Sequence, residues 1–138
     1  MSFKCVYFDH VVYHIMKNMN ASQSSGCFFL VPPEFISNPR NSTVIRGQNV
    51  TLECEVNGNP APDVRWTKDE DAVNLAHARI NVSLTGNTSS LTIVSLVQAD
   101  QGLYRCVANN SISTVTSYPG KLTVQCEFLI VLFSTDAQ

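Results

Sequence analysis

From Asn49 the chain alternates apolar and polar residues without a break. Val50, Leu52, Cys54 and Val56 fall on one side of an extended strand, and Asn49, Thr51, Glu53 and Glu55 on the other. That period of two predicts a half-buried β-strand rather than a helix. The same pattern returns several times. Val64 and Trp66 face inward with Arg65 and Thr67 outward; Ile80 and Val82 alternate in turn; Leu91 and Ile93 follow; and Tyr104, Cys106 and Ala108 face a core with Leu103, Arg105 and Val107 outward. Leu122 and Val124 close the series in Lys121-Leu122-Thr123-Val124. Between these runs stand breakers: Arg46-Gly47, Gly58-Asn59-Pro60-Ala61-Pro62, the charged stretch from Lys68 to Ala72, and Gly86-Asn87, a hairpin signal. Upstream, Pro32-Pro33-Glu34-Phe35 suits a domain entry or edge strand, because prolines exclude helix. Pro39 is expected to interrupt that strand before Thr43-Val44-Ile45 resumes it. The prediction is an all-β chain of short antiparallel strands packed as two sheets.

Trp66 lies twelve residues after Cys54, and Cys106 closes the run Asp100-Gln101-Gly102-Leu103-Tyr104-Arg105-Cys106, which reads D-x-G-x-Y-x-C. Tyr104 stands two residues before Cys106, the place of a tyrosine corner in a two-sheet sandwich. With Pro33-Glu34-Phe35, Gly47-Gln48-Asn49-Val50-Thr51-Leu52-Glu53-Cys54, Gly58-Asn59-Pro60-Ala61-Pro62, Val64-Arg65-Trp66-Thr67-Lys68-Asp69 and Ser90-Leu91-Thr92-Ile93, these motifs make the chain from Gly47 to Val124 resemble an immunoglobulin domain of the intermediate type, the I-set. The resemblance implies an antiparallel Greek-key β-sandwich. It also implies a disulfide between Cys54 and Cys106 with Trp66 against it, and Leu91, Asp100, Gly102 and Tyr104 as further signature positions. An ion pair between Arg79 and Asp100 should close one end of the sandwich. Two positions depart from the family pattern: Glu70 stands where a glycine often follows Lys-Asp, and Asn110 stands in a hairpin turn, Asn109 to Thr114, where a left-handed glycine is usual. Asparagine tolerates that conformation at modest cost.

With 138 residues there is room for one ordinary domain and two short tails. The expected limits are a tail over 1–31, the domain over 32–125, and a second tail over 126–138. Asp9, His10, His14 and Lys17 interrupt the apolar runs of the first tail, so it does not read as a secretory signal. The apolar stretch Phe128 to Phe133 is far too short to span a bilayer. A lone domain between unmatched tails reads as a piece of a longer, multi-domain protein.

The formal charge is −2 with nine Lys and Arg, which leaves no dense basic face for nucleic acid or an anionic membrane. His10, His14 and His77 have no nucleophile-and-carboxylate setting, and no metal-ligand cluster remains once two cysteines are assigned to a disulfide. No enzyme, cofactor or metal is expected. Five cysteines leave Cys5, Cys27 and Cys126 without an assigned role. N-x-S/T sequons begin at Asn20, Asn41, Asn49, Asn81, Asn87 and Asn109. Chance would supply roughly two.

Together the disulfide and the sequons point to an oxidising, extracellular or cell-surface setting and a protein partner, with contact to a membrane only through a segment outside this chain. Among the outward positions, Leu103 and Val107 flank Arg105 on one strand, with Arg65 and Thr67 on the next. Apolar groups around arginine match the composition of interface cores, so this face is the expected contact surface. The resemblance also implies rivals: an intracellular structural repeat of a giant muscle filament, or a domain appended to a receptor kinase or peroxidase.

Overall fold

The computed structural model describes residues 30–126. Ten strands follow in order: β1 (Val31–Ser37), β2 (Ser42–Ile45), β3 (Val50–Asn59), β4 (Asp63–Lys68), β5 (Asp71–Ala72), β6 (Ile80–Thr85), β7 (Thr88–Ile93), β8 (Gly102–Asn109), β9 (Thr114–Thr116) and β10 (Gly120–Gln125). A 3₁₀ turn, Gln98–Asp100, precedes β8. Cys5, Cys27, Asn20, His10 and His14 lie outside the described residues.

The strands form two sheets. One runs β1-β3-β7-β6, and the other β2-β10-β8-β4-β5 with β9 also paired to β8. The pairings are antiparallel except that β10 runs parallel to β2. That exception follows from the break at Asn38-Pro39: β1 pairs β3 in the first sheet, the chain then crosses over, and β2 joins the second sheet in the same sense as β10. A proline donates no ladder hydrogen bond, which suits the point where a strand leaves one sheet for the other.

The inward sides of the alternating strands build the core. Leu52, Cys54, Trp66, Leu91, Ile93, Leu96, Tyr104, Cys106, Leu122 and Val124 are all buried in one cluster. Leu96 joins it from the connection after β7, where its N–H donates to Gln48 O at 2.9 Å and its carbonyl accepts from Gly47 N at 2.8 Å.

Three local features go beyond what the sequence suggests or differ from it. The last strand is split. Val107 pairs with Thr116 and Tyr104 with Gly120, three steps on β8 against four on its partner, so one extra residue bulges between β9 and β10. Buried Ser117 fills the gap: its N–H donates to Cys106 O and its Oγ accepts from Cys106 N, both at 2.9 Å.

Asn110 does not take the left-handed conformation, since the described non-glycine residues with positive φ are Asp69, Glu70 and Ser95. It shapes the β8–β9 turn through its side chain instead. Oδ1 accepts from Ile112 N at 2.9 Å and Ser113 N at 3.3 Å, and Nδ2 donates to Val31 O at 2.8 Å and Pro60 O at 3.1 Å.

The turn between β4 and β5 is a two-residue hairpin closed by the Lys68–Asp71 pair, with φ of 48° at Asp69 and 76° at Glu70. Positive φ at both central residues matches the twist of the flanking strands, and it is the geometry for which Asn-Gly or Asp-Gly is preferred. Glu70 occupies the glycine position.

Candidate functional site

Four residues pin the two layers together. Cys54 lies opposite Ser89 in the first sheet, and Trp66 lies opposite Cys106 in the second. Two bonds then cross between the sheets: the Cys54–Cys106 disulfide, with an S–S distance of 2.05 Å, and a hydrogen bond from Trp66 Nε1 to Ser89 Oγ at 3.0 Å. An indole buried to this degree needs a partner for its N–H, and Ser89 supplies it with only 1 % of its own surface exposed. Ser89 sits two residues before Leu91, so the period of two places it inward. The signal that could have revealed it was a serine at a core position.

A second polar cluster closes one end. Arg79 Nη1 donates to Asp100 Oδ2 at 2.9 Å and Nη2 to Oδ1 at 3.3 Å, while Nη1 also reaches Val94 O and Ser95 O. The Val97 N–H donates to Asp100 Oδ2 at 2.8 Å, and Tyr104 Oη donates to Asp100 O at 2.6 Å, which forms the tyrosine corner. Burial on its own would push the Asp100 carboxyl up. The hydrogen bonds from Arg79 and Val97, with the charges of Arg79 and Lys68, outweigh it and hold the carboxyl below its ordinary range. The Tyr104 hydroxyl is pushed well above its ordinary range, chiefly by burial and then by the nearby Asp100 and Asp69 charges.

Gly102 is dictated by crowding in the same region. A Cβ there would stand 2.7 Å from Asp69 Oδ2 and 2.8 Å from Lys68 Cε. A Cβ would displace both side-chain ends and disturb the hydrogen bonds they make, from Leu103 N to Asp69 Oδ1 at 2.9 Å and from Lys68 Nζ to Ala99 O.

This frame sets out the outer face of the six-stranded sheet. Thr67 lies opposite Arg105, Arg65 opposite Val107, and Lys121 opposite Leu103. Arg65 is exposed, Arg105 and Thr67 are half-buried, and Leu103 keeps 37 % of its surface. Val107 corrects the sequence expectation: it is 8 % exposed and offers little to a partner. It lies on the middle strand at a level flanked on both sides, by Arg65 on β4 and Thr116 on β9, and directly opposite residues stand within about 5.5 Å of one another. Leu103 is flanked by Lys121 on β10 and by Asp69 of the β4–β5 turn, whose N–H donates to Leu103 O at 2.9 Å, and its side chain still stays partly open.

Of the sequons, Asn41, Asn49, Asn81, Asn87 and Asn109 are all at exposed positions. Asn49 Oδ1 accepts from Ser95 N and Asn41 Oδ1 from Lys121 N, and Thr114 Oγ1 donates to Asn109 Oδ1. Asn81 lies on the outward side of β6, and Asn87 in the β6–β7 turn. Cys126, just past β10, is an exposed free thiol. Among the described residues no group of three His, Cys, Asp or Glu is placed to hold a metal ion.

A two-layer sandwich pinned by an inter-sheet disulfide, a buried tryptophan and a tyrosine corner defines an immunoglobulin-like module. The family model of the immunoglobulin I-set domain matches residues 33–124, and the chain belongs to that family. It is similar to the netrin receptor DCC of Rattus norvegicus, with 36 % identity over 101 residues, 73 % of this chain and 7 % of the receptor. It is also similar to the peroxidasin homolog of Homo sapiens, with 37 % identity over 83 residues, 60 % of this chain and 5 % of that protein. Among solved structures, the titin M10–obscurin-like 1 Ig complex superposes with a TM-score of 0.65 at 29 % identity, covering 70 % of this chain and 96 % of that one. The chain spans less than a tenth of the length of the netrin receptor and of the peroxidasin homolog.

Proposed function

We propose that residues 32–125 form an extracellular protein-binding module of a multi-domain cell-surface or matrix protein, and that the module acts by contact and catalyses nothing. The observation that carries this reading is the Cys54–Cys106 disulfide at the centre of the core, a bond that persists in oxidising compartments and is kept reduced in the cytosol. Two findings support it: the similarity to a netrin receptor and the number of exposed sequons. The contact surface we assign is the outer face of the six-stranded sheet around Leu103, Arg105, Arg65 and Thr67, with Val107 as its buried floor. The exposed sequons Asn49 and Asn81 go with the opposite sheet, and Asn109 stands at the far end of β8 on this one.

A second reading, a spacer repeat of an intracellular filament, is favoured by the likeness to titin, where the matched structure is itself a complex between two such proteins. Expressing the chain behind a cleavable secretion signal in mammalian cells separates the two. The extracellular reading expects efficient export, a protected Cys54–Cys106 pair in non-reducing peptide maps, and a mobility shift on enzymatic removal of N-glycans. Retention in the cell with free thiols and no glycan would favour the filament reading.

A further inference from the structure

The sequon calls for a serine or threonine at its third position, so the hydroxyl there is the group by which an acceptor asparagine is recognised. Within a strand the first and third residues of a sequon share a face. Asn81 and Ser83 are both exposed on β6, and Asn49, just before β3, and Thr51 within it are both exposed. The third residues of the Asn41 and Asn109 sequons, Thr43 and Ser111, are exposed too. The sequon Asn87-Thr88-Ser89 behaves differently because its asparagine sits in a turn. Asn87 is exposed, whereas Ser89 is inside the core with its hydroxyl engaged by Trp66 Nε1 at 3.0 Å.

We propose that Asn87 is an N-glycosylation site that can be filled only before the sandwich closes, because the hydroxyl that marks it afterwards becomes the core partner of Trp66. This inference rests on the secreted reading given above. The donor is a lipid-diphosphate-linked oligosaccharide. The Asn87 Nδ2 attacks the anomeric carbon, the C–N bond forms as the bond from that carbon to the diphosphate oxygen breaks, the amide gives up one proton, and the lipid diphosphate departs. The finished glycan is compatible with the fold, since Asn87 is exposed in its turn and the bond it makes to Val56 N, at 2.9 Å, is through its main-chain carbonyl. Ser89 thus serves twice and in sequence: first it is read by the transferase in the open chain, then it satisfies the indole. Glycosylation and closure of the core compete for one hydroxyl.

A purified oligosaccharyltransferase with a dolichol-diphosphate-linked oligosaccharide tests this on the full chain in two states: folded with its disulfide intact, and reduced with its cysteines alkylated so that it stays open. Site-by-site glycopeptide mass spectrometry is the readout. Transfer to Asn87 is expected in the open chain and to be slower by about a hundredfold or more in the folded one, because Ser89 is released only by openings that disrupt the core. Asn109, whose Ser111 is exposed in a loop, is expected to accept sugar in both states. Comparable rates at Asn87 in the two states would overturn the proposal, as would an open chain that accepts sugar elsewhere but not at Asn87. A folded chain refused equally at Asn87 and Asn109 would show that the fold as a whole excludes the enzyme, and that too would overturn the role given to Ser89. Because the system is purified, the result does not depend on where the protein resides. Failure of the secretion experiment and failure here are therefore distinguishable.

Discussion

Trp66 and Ser89 join the two sheets by a hydrogen bond that lies beside the disulfide in register: each is the cross-strand neighbour of one of the bonded cysteines. The core therefore has a covalent tie and a polar tie at one level. Replacing Ser89 by Ala removes the acceptor and leaves the indole N–H buried without a partner, which costs about 1–3 kcal/mol. Urea unfolding of unglycosylated protein, followed by Trp66 fluorescence, should show the lower midpoint with an unchanged slope. A midpoint equal to wild type would mean that the indole is satisfied another way.

The covalent tie should contribute more. Cys54 and Cys106 are 52 residues apart, and closing a loop of that size restricts the unfolded chain by about 4 kcal/mol in the entropic account. The double substitution Cys54→Ala, Cys106→Ala is expected to lower stability by that order, and to do so without abolishing the β signature in circular dichroism at low temperature.

Asp100 sets a pH dependence. Its carboxyl is held below the unfolded value, so its contribution is present in full above about pH 4, shrinks as the pH falls through the lower folded value, and vanishes once both states are protonated. Thermal midpoints of the wild type and of Asp100→Asn should differ at neutral pH and converge toward pH 2. A constant gap across that range would show that the charge is not what matters.

Glu70 holds a left-handed conformation that favours glycine. Relief of roughly 1–2 kcal/mol of backbone strain, less roughly 0.5–1 kcal/mol for the greater freedom of glycine when unfolded, predicts that Glu70→Gly stabilises the domain by up to about 1.5 kcal/mol. Differential scanning calorimetry decides the sign.

For the contact face, Leu103→Asp introduces a charge on an exposed strand position without touching the core, so the melting curve should stay within about 0.5 kcal/mol of wild type. Bead aggregation, or binding to the partner once it is known, should fall at least tenfold if this face is used. Val107→Asp is not a fair test of binding. Val107 is buried, and that variant is expected to unfold.

Several features of this protein were legible in its sequence because they follow from local rules. Strict alternation from Asn49 to Val56 defines a half-buried strand wherever it occurs, and Gly86-Asn87 turns a chain on its own account. Cys54, Trp66, Tyr104 and Cys106 carry a signature specific enough to imply the sandwich. Other features depended on what stands alongside. Leu103 and Val107 look alike in sequence, both outward on one strand, yet one is open and the other covered, because only the tertiary structure decides which side chains stand beside each. Ser89 and Ser117 read as ordinary polar residues until the fold brings an indole N–H to one and an interrupted ladder to the other. Asn110 replaces a glycine through its side-chain amide and not through its backbone, a choice made by the carbonyls of Val31 and Pro60 arriving from distant parts of the chain. Alternation tells each residue which way to face, and only the assembled sheets determine what it meets there.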